Sequence, residues 1–404
     1  MGTSRFIIGF KKEVDMTEMF KNKEFKEILK SSNCKKCWSL CNCHNDFHFD
    51  ICSDDNDSFL FDDENKYVFE FFETVKKEEL EDRFKAIQGT IDLIEDDMPV
   101  SFFPNSVASL SDNKEVKTPF GVINYNSKST KLNGEGVTVA IIDSGIDYKH
   151  PHFSGNKSKM KFGFNFSARD YTQIFNFMDD NGHGTNVSGI IIANSTKNDD
   201  PEGIAKMVNL LSFKVNTRTP EKRVYISNVY NAIKMAYHLG ADVINNSWYI
   251  DDGKQSGILN QLFEELADSA CILVFGAGNR GQDINRTYPQ NTGNTIVVGG
   301  LGFDGKKIES SDFGEKVTVW APAENISTTK KMTGSRNPSI LTEKVTGTSI
   351  ATPFVTATIA LLKQKNKSIK FEEVVKRLQR GNKVLLDKDT GHYGYILDII
   401  KTIN

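Results

Sequence analysis

VTVAIIDSGID (137–147) is the stretch whose reading decides the fold. Val137 to Ile142 are apolar or β-branched throughout, and the first carboxylate, Asp143, comes where the run stops. A strand with one wet face alternates apolar and polar residues, whereas a continuous run suits a parallel strand covered on both faces. The same texture returns in NLLSFKV (209–215), DVINN (242–246), CILVFGAG (271–278) and TIVVGG (295–300). Stretches of helical length and spacing lie between them, such as ISNVYNAIKMAYHLG (226–240) and SGILNQLFEELADSA (256–270). From about residue 118 this alternation predicts an α/β fold, a doubly wound, mostly parallel sheet flanked by helices. Sites in such sheets form at the carboxyl ends of the strands, so chemistry is sought just after each apolar run.

Four residues stand at such places, and each has a plain structural reading beside a chemical one. Asp143 is an N-cap or turn aspartate, or a buried carboxylate that needs partners because a lone buried charge is costly. His183, between Gly182 and Gly184, is a turn histidine, or a titratable group where a helix dipole disfavours imidazolium. Asn279 is a turn asparagine after a glycine, or an amide able to donate to a developing oxyanion. Ser349, in GTSIATP (347–353), is a serine N-cap, or a hydroxyl beside the free N–H groups of a helix start. Together they supply an orienting carboxylate, a base, an oxyanion donor and a nucleophile at one sheet edge. A serine hydroxyl reacts only when a base takes its proton.

AIIDSGID, NGHGT, FGAGN and GTSIATP resemble, in the same order, the motifs of the subtilisin-like serine proteases. The resemblance covers roughly residues 118–404, and YGYIL (393–397) is similar to that family's last turn and helix. It implies a serine endopeptidase in which Asp143 orients His183, His183 is general base and then acid, and Ser349 attacks the scissile carbonyl. Asn279 and the Ser349 backbone N–H would form the oxyanion hole. It also implies polypeptide substrates, a monomer, chemistry that needs no cofactor, and a place in the secretory pathway. Ser247, Trp248, Tyr249, Gly276, Ala277 and Gly278 would line the substrate site. Tyr249 stands where the family usually has glycine, so the wall is bulkier and specificity narrower.

Before residue 104 the chain is charged and Phe-rich. RFIIGFK (5–11), YVFEFFE (67–73) and TIDLIED (90–96) read as strands, and 16–30 and 75–87 as helices. This predicts a small α+β, ferredoxin-like domain over 1–103, then a polar linker over 104–117, then the catalytic domain over 118–404. By resemblance the first unit is a propeptide that acts as an intramolecular inhibitor, with a zymogen processed between about residues 100 and 115. Phe103–Pro104 is a poor bond for cleavage, because proline has no N–H and a locked φ, so the neighbourhood of Leu110 is preferred.

Cys34, Cys37, Cys41, Cys43 and Cys52, with His44 and His48, form a dense cluster within this unit. A reducing compartment would make it a zinc site, an oxidising one two disulfides and an odd thiol. Cys271, alone in an apolar run, reads as a small core residue. Calcium is doubtful: His152 stands where the family often has a ligating aspartate, and Asp199, Asp200 and Glu202 read as an acidic surface loop. A net charge of −3 gives no case for nucleic acid, and no apolar run is long enough to span a bilayer. MGTSRFIIGF shows no signal-peptide pattern. The competing reading is a non-catalytic or permanently inhibited protein whose Cys-rich unit is a binding module.

Overall fold

The computed structural model describes residues 4–31, 34–39, 66–71, 75–103, 106–107, 119–126, 128–167, 173–194, 201–216, 224–250, 253–332, 340–387 and 391–404. The chain opens with β1 (Ser4–Phe10), α1 (Met16–Lys21), α2 (Lys23–Ser31), β2 (Cys34–Ser39), β3 (Lys66–Phe71), α3 (Lys77–Arg83) and β4 (Ile91–Asp96). The four strands form one antiparallel sheet in the order β2-β3-β1-β4. Phe6, Ile8 and Phe10 of β1 face the unit's own core, where the Phe25 ring meets Phe10 and Phe69 edge-on at centroid distances of 5.9 and 6.5 Å. Ile7 and Val68 turn the other way, into a core shared with the rest of the protein. That double burial is why RFIIGF reads as continuously apolar.

Three features depart from the sequence reading of this unit. The single helix expected over 16–30 is two helices, because the Asn22 side chain accepts from Phe25 N–H at 3.1 Å and starts a new one. The helix expected over 75–87 is α-helical only to Arg83 and continues as a 3₁₀ segment, Lys85–Thr90. β2 lies inside the Cys-rich stretch, where no strand was predicted. The next strands, β5 (Pro99–Phe102) and β6 (Ser106–Val107), flank and enter the expected linker. The rest of that linker, Leu110 included, lies outside the described residues.

The larger body follows a short helical turn, α4 (Pro119–Val122). Its helices and strands include β7 (Thr138–Asp143), β8 (Met160–Asn165), α5 (His183–Ile192), β9 (Asn209–Lys214), β10 (Val224–Tyr225), α6 (Ile226–His238), β11 (Val243–Asn246), β12 (Trp248–Tyr249), α7 (Gly257–Asp268), β13 (Ile272–Gly276), β14 (Ile296–Leu301), β15 (Val319–Pro322), β16 (Ile326–Thr329), β17 (Thr342–Thr346), α8 (Thr348–Lys365), α9 (Phe371–Leu378), β18 (Lys383–Asp387), β19 (His392–Tyr395) and α10 (Ile399–Ile403). Seven strands form a parallel sheet in the order β15-β14-β13-β11-β7-β9-β8. Val139 and Ile141 face a core with α5 and α8, while Ala140 and Ile142 face one with α6 and α7. Burial on both faces is the physical cause of the unbroken apolar runs. The sheet is thus the α/β, helix-flanked architecture expected, with two outer strands, β8 and β15, that the sequence reading missed.

The first unit packs across the carboxyl side of this sheet through backbone and charge. β5 pairs antiparallel with β10 on one edge and β12 on the other, with Val100 opposite Val224 and Ser101 opposite Tyr249. β6 pairs with β17. Asp97 is fully buried, bonded to Arg5 at 2.8 Å and to Ser227 N–H at 2.9 Å in the first turn of α6. Glu95 accepts from Gly257 N–H at 2.8 Å and Ile258 N–H at 3.3 Å at the start of α7. Each carboxylate takes up free N–H groups at a helix start, where negative charge is favoured.

Candidate active site

β7 ends on Asp143, and α5 begins on His183. His183 Nδ1 lies 2.7 and 2.8 Å from the two Asp143 carboxylate oxygens, and both residues are buried. The approach depends on glycine: a Cβ on Gly184 would stand 2.1 Å from Gly145 O, in the turn that follows Asp143. Burial alone would lower the His183 pKa. The Asp143 charge and its hydrogen bond, with a smaller contribution from Asp179, outweigh it and hold the pKa above its ordinary value. His183 Nε2 is buried and makes no hydrogen bond among the described residues.

The sequence reading passed over Asp179, which is 1 % exposed. Its carboxylate accepts from Ser144 Oγ, the backbone N–H groups of Asn181, Gly182 and Thr185, and Thr185 Oγ1. It ties the turn after Asp143 to the first turn of α5. The only sequence signal was its place in FMDDNGHGT, four residues before His183.

Ser349 is the second residue of α8 and is fully buried. The N-cap is Gly347, so the N-cap reading of Ser349 does not hold. Asn279 instead caps this helix: its Oδ1 accepts from Thr348 N–H at 2.8 Å and from Thr348 Oγ1 at 2.9 Å. Pro353, the sixth helical residue, has no N–H for the Ser349 carbonyl. Asp312, also passed over, shapes the strand-to-loop turn before Asn279. Its backbone N–H donates to Gly278 O, and its carboxylate accepts from Arg280 N–H at 2.8 Å and Gln282 N–H at 3.0 Å.

The expected wall residues divide. Ser247 O accepts from Phe103 N–H at 3.3 Å, and Tyr249 carries the Phe103 ring stacked at 4.7 Å. Trp248 offers its backbone to β5, while its ring turns inward against Phe275 and its Nε1–H bonds Asn246. Gly276 borders the Phe103 ring: a Cβ built there would stand 3.3 Å from Phe103 Cε2. Ala277 is buried in the core, and Gly278 lies against Asp312. The sequence marked Phe103 only as the residue before a poor cleavage bond, not as a ring that packs on Tyr249.

The cysteine expectations change. Cys34 and Cys37 are buried on β2 as part of the Phe-rich core, and Cys37 is a free thiol. Burial, with Cys34 adding to it, pushes the Cys37 thiol well up and keeps it protonated. Cys41, Cys43, Cys52, His44 and His48 lie outside the described residues. Among the described residues no group of three His, Cys, Asp or Glu side chains is placed to hold a metal. Cys271 is a buried free thiol, its pKa pushed up to about 12 by burial. Glu202 pairs with Lys206, and Asp199 and Asp200 lie outside the described residues. No described helix is long and apolar enough to cross a membrane.

A parallel sheet with a buried Asp–His pair and a serine at a helix start defines a class, the serine hydrolases of α/β architecture. The sequence profile of the Subtilase family (Peptidase S8) matches residues 134–394, and the chain belongs to that family; it is a subtilisin-like serine endopeptidase. The chain is similar to the intracellular serine protease of Paenibacillus polymyxa, 32% identical over 240 residues, which cover 58% of this chain and 68% of that one. It is also similar to the major intracellular serine protease of Bacillus subtilis (strain 168), 31% identical over 238 residues, 57% of this chain and 70% of that one. In fold it resembles fervidolysin from Fervidobacterium pennivorans, described as a keratinolytic enzyme related to subtilisin. That match has a TM-score of 0.76 and 18% identity, covering 100% of this chain and 61% of the other.

Proposed function

We propose that the chain is the zymogen of an endopeptidase that acts through an acyl-enzyme, with Asp143, His183 and Ser349 as its triad. Asp143 holds His183 with its Nδ1 proton toward the carboxylate, which leaves Nε2 as the basic nitrogen. Nε2 takes the Ser349 Oγ proton as oxygen attacks the scissile carbonyl carbon. The negative charge that develops on the carbonyl oxygen is met by the Asn279 amide and the Ser349 backbone N–H, at a helix start that favours it. His183 then gives its proton to the leaving amine, the C–N bond breaks, and water repeats the sequence to free the acyl group. The observation that carries this reading is the buried Asp143–His183 pair at 2.7 Å, with His183 Nε2 making no hydrogen bond among the described residues.

Residues 1–103 act in this reading as the inhibitor. Support comes from β5, which occupies the gap between β10 and β12 as an extended peptide substrate would, with the Phe103 N–H donated to Ser247 O. Proline follows Phe103 in the sequence, so self-processing falls downstream, near Leu110. Ser349→Ala tests this directly. The altered chain should persist at full length while the parent gains a new N-terminus within residues 100–115. Equal processing of both would assign the cut to another protease.

A further inference from the structure

Tyr249 is the largest departure in the substrate wall, and its surroundings are specific. The Phe103 ring lies on it at 4.7 Å with only 10° between the planes. The guanidinium carbon of Arg280 lies 4.5 Å from the centroid of the same tyrosine ring. Arg280 is itself held. Its Nη2 donates to Thr287 Oγ1 at 3.1 Å, and its backbone N–H to Asp312 at 2.8 Å. The Phe103 side chain is 2 % exposed overall and has Gly276 beside its ring edge.

We propose that Tyr249, steadied by Arg280, is the specificity-determining residue of this pocket, and that it selects a flat aromatic side chain over an aliphatic one of similar volume. This rests on the reading that Phe103 lies where the side chain before the cleaved bond binds. A glycine wall rewards apolar area of any shape. A tyrosine plane adds the offset stacking of two rings, about 0.5–1.5 kcal/mol beyond area burial. Arg280 fixes the plane through its contact with the ring, so the tyrosine is already ordered when a ligand arrives. Leucine fills comparable volume and gains none of the stacking. The preference is thus set by two residues absent from the family motifs that marked the site.

The full-length chain supplies the test, because Phe103 is a built-in ligand. Phe103→Tyr and Phe103→Leu are compared with the parent by the rate at which a fluorophosphonate labels Ser349. The tyrosine variant should be labelled as slowly as the parent, and the leucine variant about three- to ten-fold faster. The gap should survive in a Tyr249→Phe background, which keeps a ring, and close in Tyr249→Leu. It should narrow in Arg280→Ala. Equal labelling of the parent and Phe103→Leu, or a gap that survives Tyr249→Leu, would overturn this inference alone. Ser349 unlabelled in every variant would overturn the proposed function and this inference with it.

Discussion

Asp143, His183, Asn279 and Ser349 stand out as candidates in the sequence because each lies in a short stretch of glycines and small residues that backbone geometry demands. The glycine requirement around His183 is visible in the 2.1 Å that would separate a Gly184 Cβ from Gly145 O. Asp179 and Asp312 were not legible, because they act by gathering backbone N–H groups of loops, and an aspartate in a polar stretch looks like any surface aspartate. The Asp143 charge raises the His183 pKa, and a protonated His183 cannot accept the Ser349 proton. Labelling of Ser349 should therefore fall as pH drops through an inflection above the ordinary histidine value of about 6.5. Asp143→Asn should move that inflection to lower pH and cut peptidase turnover about 10⁴-fold, the size established for triad aspartates in this class. An unmoved inflection would remove Asp143 from its role. Asp179→Ala should cost about 2–4 kcal/mol in urea unfolding, since it leaves several buried donors unpaired. A loss under about 1 kcal/mol would show that other acceptors, or water, take its place.

At the scale of elements, strands buried on both faces were easy to read and others were not. β7, β9, β11, β13 and β14 are continuous apolar runs. β8 and β15 are the two edge strands of the sheet: β8 carries Lys161 and Asn165 among its phenylalanines, and β15 is four residues long with a tryptophan and a proline. β2 is masked by lysines and by cysteines that suggest a metal before they suggest a strand. The helical spacing that runs through 16–30 hides Asn22, whose side chain caps a new helix more favourably than it continues the old one. The same logic of helix starts joins the two units. Asp97 satisfies the first turn of α6 and pairs with Arg5, so Asp97→Ala removes the carboxylate from the Ser227 donors and from the Arg5 guanidinium. The expected cost to docking is about 2–3 kcal/mol, read as a thirty-fold or greater rise in the rate of Ser349 labelling in the full chain. An unchanged rate would mean that this contact does not hold the first unit in place.

For the whole molecule, strand runs and helix spacing gave the α/β class, but not the sheet order or the way the N-terminal unit lies across it. Those depend on contacts between residues more than a hundred positions apart, such as Val100 with Val224 and Ser101 with Tyr249. No local pattern encodes them. Once they form, β5, Phe103 and β6 lie along the elements that bear the candidate site, and the first unit and the larger body share one apolar core. The measurement that tests the account most directly is the location of a fluorophosphonate adduct by peptide mass spectrometry, on the full chain with docking weakened by Asp97→Ala. A single adduct on Ser349, lost when His183→Ala is added, is the predicted result. An Asp97→Ala chain that is displaced from the cleft yet carries no adduct on Ser349 would contradict it.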